Sequence, residues 1–161
     1  MQSTDDELAG RFPYREDWRC RSQAKSERPQ HHRILVVDDH EDVRECLVLM
    51  LGLGGHEVES ARDGMEALEV AERFRPNLIF LDIQMPKLSG IEVCRRLRER
   101  QWAQHICIYA VTGLDRSEDH VRSRLNGFDG HLVKPVDPEL IDHLVSHAPP
   151  MRLSSKGQRL D

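Results

Sequence analysis

Leu78-Ile79-Phe80-Leu81-Asp82 runs four apolar residues straight into one carboxylate. The run is too short for a helix and rich in β-forming side chains. Apolar residues at consecutive positions predict a strand covered on both faces, which is the mark of a parallel sheet inside an α/β domain. An aspartate at the C-terminal end of such a strand sits where open α/β sheets place their ligand sites. The loop Ile83-Gln84-Met85-Pro86-Lys87-Leu88-Ser89-Gly90 follows at once.

Working outward, three more apolar runs end in polar residues. Arg33 to Val37 leads into Asp38-Asp39, Ile106 to Val111 into Thr112-Gly113, and Gly130 to Val133 into Lys134-Pro135. Glu57 to Ala61 reads as a further short strand. Helical periodicity fills the gaps. Glu41 to Leu53 turns Val43, Leu47, Met50 and Leu51 inward and stops at Gly54-Gly55. Met65 to Phe74 turns Met65, Leu68, Ala71 and Phe74 inward. Gly90 to Arg100 turns Ile91, Cys94 and Leu97 inward, with Arg95, Arg96, Arg98 and Arg100 on a solvated face. Asp115 to Asn126 is a weaker fourth helix on Val121 and Leu125, and Pro138 to His147 a fifth on Leu140, Ile141, Leu144 and Val145. Strict strand–helix alternation implies right-handed crossovers and a doubly wound five-stranded parallel sheet flanked by five helices.

Composition bounds the function. The chain has 161 residues, enough for one domain and its core. Its net charge of −5 and pI of about 6.0 argue against general nucleic-acid affinity. No apolar run approaches a membrane span. Met1 to Gly10 is acidic and lacks an apolar core segment, so no secretory signal is expected. Cys20, Cys46, Cys94 and Cys107 form no CxxC pair, and reduced, buried thiols in a cytoplasmic protein are the expectation. Residues 1–32 carry six acids and six bases and little apolar content, which reads as a disordered extension apart from the aromatic cluster Phe12, Tyr14 and Trp18. The domain itself is expected over 33–148, with a short tail over 149–161. His31-His32 reads as polar linker, and His120, His143 and His147 as exposed helical residues. Val37-Asp38-Asp39-His40 carries acids where a dinucleotide-binding loop needs glycines, so a Rossmann cofactor site is not expected.

In a parallel sheet every C-terminal strand end lies on one edge. Asp38, Asp39, Asp82, Thr112 and Lys134 should therefore converge. At about 6 Å and an effective dielectric of about 20, each carboxylate pair costs roughly 2.8 kcal/mol. Lys134 offsets one charge. A divalent cation would offset two more, and an all-oxygen site with open positions suits Mg²⁺. With the cation in place, Asp82 can act as a nucleophile toward a phosphoryl group, while Lys134 and the Thr112 hydroxyl meet its oxygens.

The segments ILVVDDH (34–40), LIFLDIQMPKLSG (78–90), AVTG (110–113) and HLVKPVD (131–137) resemble the receiver domain of two-component response regulators, the CheY-like family, over about residues 33–147. The resemblance implies a flavodoxin-like sheet in the order 2-1-3-4-5. It implies that Asp82 is the phosphoacceptor, taking its phosphoryl group from a phosphohistidine on a sensor histidine kinase or histidine phosphotransfer protein. Asp39 would be the direct Mg²⁺ ligand, Asp38 would act mainly through water, and the Gln84 backbone carbonyl would complete the protein's share. Thr112 would be the switch hydroxyl, Lys134 the phosphoryl-pairing lysine, and Lys134-Pro135 a cis peptide. His131 falls where the family carries its switch aromatic, so coupling is expected to be weaker or pH-sensitive. Leu114 falls at a position that tunes dephosphorylation, and slow hydrolysis is expected.

The expected role is a signalling switch and not an enzyme with its own substrate. Phosphorylation would change partner binding through the fourth helix, fifth strand and fifth helix, by homodimer or target contacts. Ala148 to Asp161 is too short for an output domain, so none is expected. An aspartyl-phosphate phosphatase is one alternative. It would want a second acid where Gln84 stands and an insertion to hold substrate. A degenerate receiver used only for binding is the other.

Overall fold

The computed structural model of this chain describes residues 30–113 and 126–148. Its elements are β1 (Arg33–Val37), α1 (Glu41–Leu53), β2 (Glu57–Ala61), α2 (Gly64–Phe74), β3 (Leu78–Asp82), α3 (Gly90–Arg98), a 3-10 turn (Gln101–Ala103), β4 (Cys107–Thr112), β5 (Gly130–Val133) and α4 (Pro138–His147). The five strands form one parallel sheet in the order β2-β1-β3-β4-β5. Four helices are thus found among the described residues. The predicted helix over Asp115 to Asn126, the fourth in chain order, lies outside them in all but its last residue, as do Leu114 and the Phe12, Tyr14 and Trp18 cluster.

The central strands are buried on both faces because their side chains alternate between two cores. Leu35, Val37, Ile79, Leu81, Ile108 and Ala110 face α2 and α3. Ile34, Val36, Leu78, Phe80, Tyr109 and Val111 face α1 and α4. Edge strand β2 carries Glu57 and Glu59, charges that discourage pairing with a foreign strand. Side-chain caps start three helices: Asp63 accepts from the Glu66 N–H, Ser89 from Glu92, and Asp137 from Glu139, behind Pro138 in the first turn.

Several expectations shift. In α2 the buried stripe is Ala67, Val70, Ala71 and Phe74, while Met65 is half exposed; the helix begins one residue early, on Gly64. That start packs against the β3–α3 loop, where a Cβ on Gly64 would strike Leu88. Helix α3 ends at Arg98, and Arg98 is not on a solvated face. Its guanidinium is drawn to Asp129 at 2.7 Å and to the carbonyls of Ala103, Ile106 and Gly127. His32 is not linker: it is fully buried below β1, its Nδ1 bonded to the Asn77 amide at 2.8 Å. His143 and His147 are half buried and face each other along α4. Cys46 is an exposed thiol and Cys94 a buried one, whereas buried Cys107 is disulfide-bonded, which departs from the uniformly reduced, buried thiols expected.

Candidate functional site

Backbone hydrogen bonds carry the ladder one residue past the strands and fix the polar residues that follow. The Asp38 N–H donates to the Ala61 carbonyl (3.2 Å), the Ile83 N–H to Val111 (3.1 Å), and the Lys134 N–H to Thr112 (2.7 Å). Asp38, Asp82 and Thr112 are buried, Asp39 is about a quarter exposed, and the Lys134 side chain about a fifth. The Lys134-Pro135 peptide is cis.

Lys134 Nζ lies 2.8 Å from Asp38 Oδ2 and 3.2 Å from Asp82 Oδ2. The remaining oxygen of Asp82 accepts from the Gln84 N–H at 3.0 Å. The remaining oxygen of Asp38 accepts from the His40 N–H at 2.8 Å. Arg44 Nη1 donates to the Asp38 carbonyl at 2.8 Å and ties α1 to the strand end. One donor atom each from Asp38, Asp39, His40 and Asp82 lies within 4.8 Å of the others.

Three carboxylates share one ammonium, and the imbalance shows in the titration of Asp82. Burial, reinforced by the charge of Asp38, pushes its carboxyl up to about 6 against the pull of Lys134 and the Gln84 N–H. Burial pulls Lys134 down, but hydrogen bonds and charges from Asp38 and Asp82 outweigh it, so the ammonium keeps its proton more tightly than an ordinary lysine. Asp39 Oδ1 is buried and has no hydrogen-bond donor; His40 Nδ1 stands 3.2 Å away without aligning as one. A buried acceptor without a donor is costly. A cation among these oxygens would satisfy it, so the donor set fits a divalent ion.

The structure therefore brings Asp38, Asp39, Asp82 and Lys134 together. Thr112 stands at the end of neighbouring β4, and Gln84 is exposed just past Asp82. His131 is buried in β5, opposite Ala110. Sequence reasoning assigned no role to three residues of the site. His40 and Arg44 hold Asp38. Gly90 brings the start of α3 against the end of β3: its N–H donates to Ile83, and a Cβ there would collide with the Asp82 carbonyl. The Ser-Gly pair opening α3 was the available signal for the last.

A family model described as the response regulator receiver domain matches residues 34–146. Among curated proteins, the response regulator MprA of Mycobacterium leprae is 44% identical over 103 residues, covering 64% of this chain and 44% of that protein. The probable transcriptional regulator ycf27 of Porphyridium aerugineum is 38% identical over 113 residues, covering 70% of this chain and 46% of that protein. The chain thus spans less than half the length of these curated relatives. Among solved structures, the Vibrio cholerae chemotaxis protein CheY4 superposes with a TM-score of 0.69 at 31% identity, covering 73% of this chain and 98% of that one.

Proposed function

We propose that this chain, which belongs to the response regulator receiver domain family, takes a phosphoryl group from a phosphohistidine onto Asp82 and changes its partner binding in response. The donor is a sensor histidine kinase or a histidine phosphotransfer protein. The observation that carries the reading is Lys134 Nζ at 2.8 Å from Asp38 and 3.2 Å from Asp82, beside a carboxylate oxygen of Asp39 that has no donor. One ammonium among three acids is short of positive charge, and a phosphoryl transfer site needs that shortfall made up by an ion.

Asp39 would hold Mg²⁺ directly, with Asp82 and the Gln84 carbonyl beside it and Asp38 acting through water. When bound, Mg²⁺ supplies positive charge to the transferring phosphoryl oxygens. Asp82 attacks phosphorus through a carboxylate oxygen; the O–P bond forms as the N–P bond to the donor imidazole breaks, and the imidazole leaves with that electron pair. Without an ion, burial holds the Asp82 titration up near 6, and a bound dication would favour the ionised carboxylate that the attack needs. The Gln84 N–H holds the other carboxylate oxygen and fixes the plane of attack. Lys134 moves its contact from the carboxylate to a phosphoryl oxygen, and the Thr112 hydroxyl donates to another. The shift of Thr112 is then read by His131, on the side of the sheet that carries β5 and α4. Asp82 performs one transfer per signal and is not regenerated by a bound substrate, which separates a switch from a phosphatase.

Incubation with acetyl phosphate and Mg²⁺, followed by intact mass, tests this. One added phosphoryl group on the wild type and none on Asp82→Asn is the expected result. Continuous release of phosphate would indicate a phosphatase, and no labelling a binding-only receiver.

A further inference from the structure

We propose that His40 gives this cation site a nitrogen donor, so that it holds a first-row transition dication such as Mn²⁺ in preference to Mg²⁺. The inference rests on the reading that Asp38, Asp39 and Asp82 hold a divalent ion. His40 is the N-cap of α1, a position usually given to a side chain that accepts from the first turn. Its ring makes no such cap bond. Nδ1 instead faces two carboxylates at once, 3.2 Å from Asp38 Oδ1 and 3.2 Å from Asp39 Oδ1. A carboxylate oxygen only accepts, so what stands between it and a ring nitrogen is a proton or a cation that both share.

A proton on Nδ1 is aligned for Asp38 Oδ1 but not for Asp39 Oδ1, whereas a cation can serve both, and the spacing suits one. With metal–donor distances of about 2.1 Å, adjacent donors of an octahedron lie about 3.0 Å apart and opposite ones about 4.2 Å. The two nitrogen–oxygen edges are within a few tenths of the first value. The whole set of four donors, spread over no more than 4.8 Å, needs only a modest contraction to meet the second. The backbone under the ring is already fixed: the His40 N–H donates to Asp38 at 2.8 Å, and its carbonyl accepts from the Arg44 N–H at 3.0 Å. The outer part of the ring is open to solvent, and ions can enter from that side. Three carboxylates alone suit Mg²⁺. An added imidazole shifts preference toward the transition series, whose ions bind nitrogen well, whereas Mg²⁺ gains little from it.

Titrating metal-free full-length chain with Mn²⁺ and with Mg²⁺, and recording pulsed EPR of the Mn²⁺ form, tests the proposal. His40→Ser keeps a good cap and removes the imidazole, and Asp39→Asn serves as the site control. Nitrogen modulation on Mn²⁺ is expected in the wild type and not in His40→Ser. That variant should lose about tenfold in Mn²⁺ affinity, the scale on which loss of even a supporting partner weakens metal sites, while Mg²⁺ affinity stays within about twofold. Mn²⁺ bound without nitrogen modulation, or bound as tightly or more tightly by His40→Ser, overturns the proposal and leaves the carboxylate site standing. Failure of the wild type to bind either ion, or binding that survives Asp39→Asn, overturns both.

Discussion

The two edges of this sheet handle buried carboxylates in opposite ways. At the N-terminal edge, Asp129 Oδ2 accepts from Arg98 at 2.7 Å and from the Ile108 N–H at 2.8 Å, while Arg98 spends its other donors on the backbone carbonyls of Gly127, Ala103, Gln104 and Ile106. The acid is met by a base, and the base's remaining donors meet acceptors. At the C-terminal edge, three acids meet one lysine and one buried oxygen has no donor. The first arrangement holds the fold together. The second is held in place by the fold at some cost to it, and that cost is recovered when positive charge arrives.

The largest effect should come from breaking the balanced edge. Arg98→Ala removes the 2.7 Å ion pair to the buried Asp129 carboxylate together with the guanidinium's bonds to backbone carbonyls, and should cost about 3–5 kcal/mol in urea unfolding. A loss under about 1 kcal/mol would mean that the two edges do not differ as described.

Breaking the unbalanced edge should do the reverse. Asp82 titrates near 6 in the fold against 3.8 for the ordinary group. Between those values the folded state binds the proton that the unfolded state has released, so stability falls as pH rises through about 6. Asp82→Asn should therefore stabilise the metal-free protein by about 3 kcal/mol at pH 7.5, with the gain gone at pH 4. Unfolding curves at the two pH values check both parts.

His32 gives the other edge the opposite pH dependence. Burial, then the neighbouring His56 and His31, lowers it to about 4 from 6.5. Here the unfolded state binds the extra proton, so stability is present above about 6.5 and drains away as pH falls toward 4. The two trends largely cancel in the wild type. In Asp82→Asn the histidine trend stands alone, and that variant should lose about 2 kcal/mol between pH 7 and pH 5 while the wild type changes far less. Parallel pH profiles for the two proteins would contradict the assignment. The smallest effect is from the cation: Mg²⁺ at ten times its dissociation constant should add about 1.4 kcal/mol to the wild type and nothing to Asp39→Asn, read as a shift in thermal midpoint.

The sequence made the unbalanced edge easier to read than the balanced one. Four apolar runs ending in Asp38-Asp39, Asp82, Thr112 and Lys134 specify both a parallel sheet and which residues share its edge, although Lys134 lies 52 positions from Asp82. Arg98 gave no such signal. It sits in a run of similar arginines, and what sets it apart is an aspartate 31 positions away at the start of β5. It lies four residues after buried Cys94 and one after buried Leu97, at the border of the inward stripe. His31 and His32 are the same residue type side by side, yet one is exposed and the other buried, because the strand's alternation begins before its first apolar residue. His40 and Gly90 matter through close approaches to Asp38, Asp39 and Asp82, which local pattern does not encode.

On the proposed function, Asp82 stands in a pocket completed by a divalent cation and a phosphoryl group. Fluorine NMR with beryllofluoride, a phosphoryl mimic, addresses it without any partner protein. Bound fluoride resonances should appear for the wild type only when Mg²⁺ or Mn²⁺ is also present, and should be absent from Asp82→Ala under all conditions. Bound resonances in Asp82→Ala, or none in the wild type with cation supplied, would contradict the account.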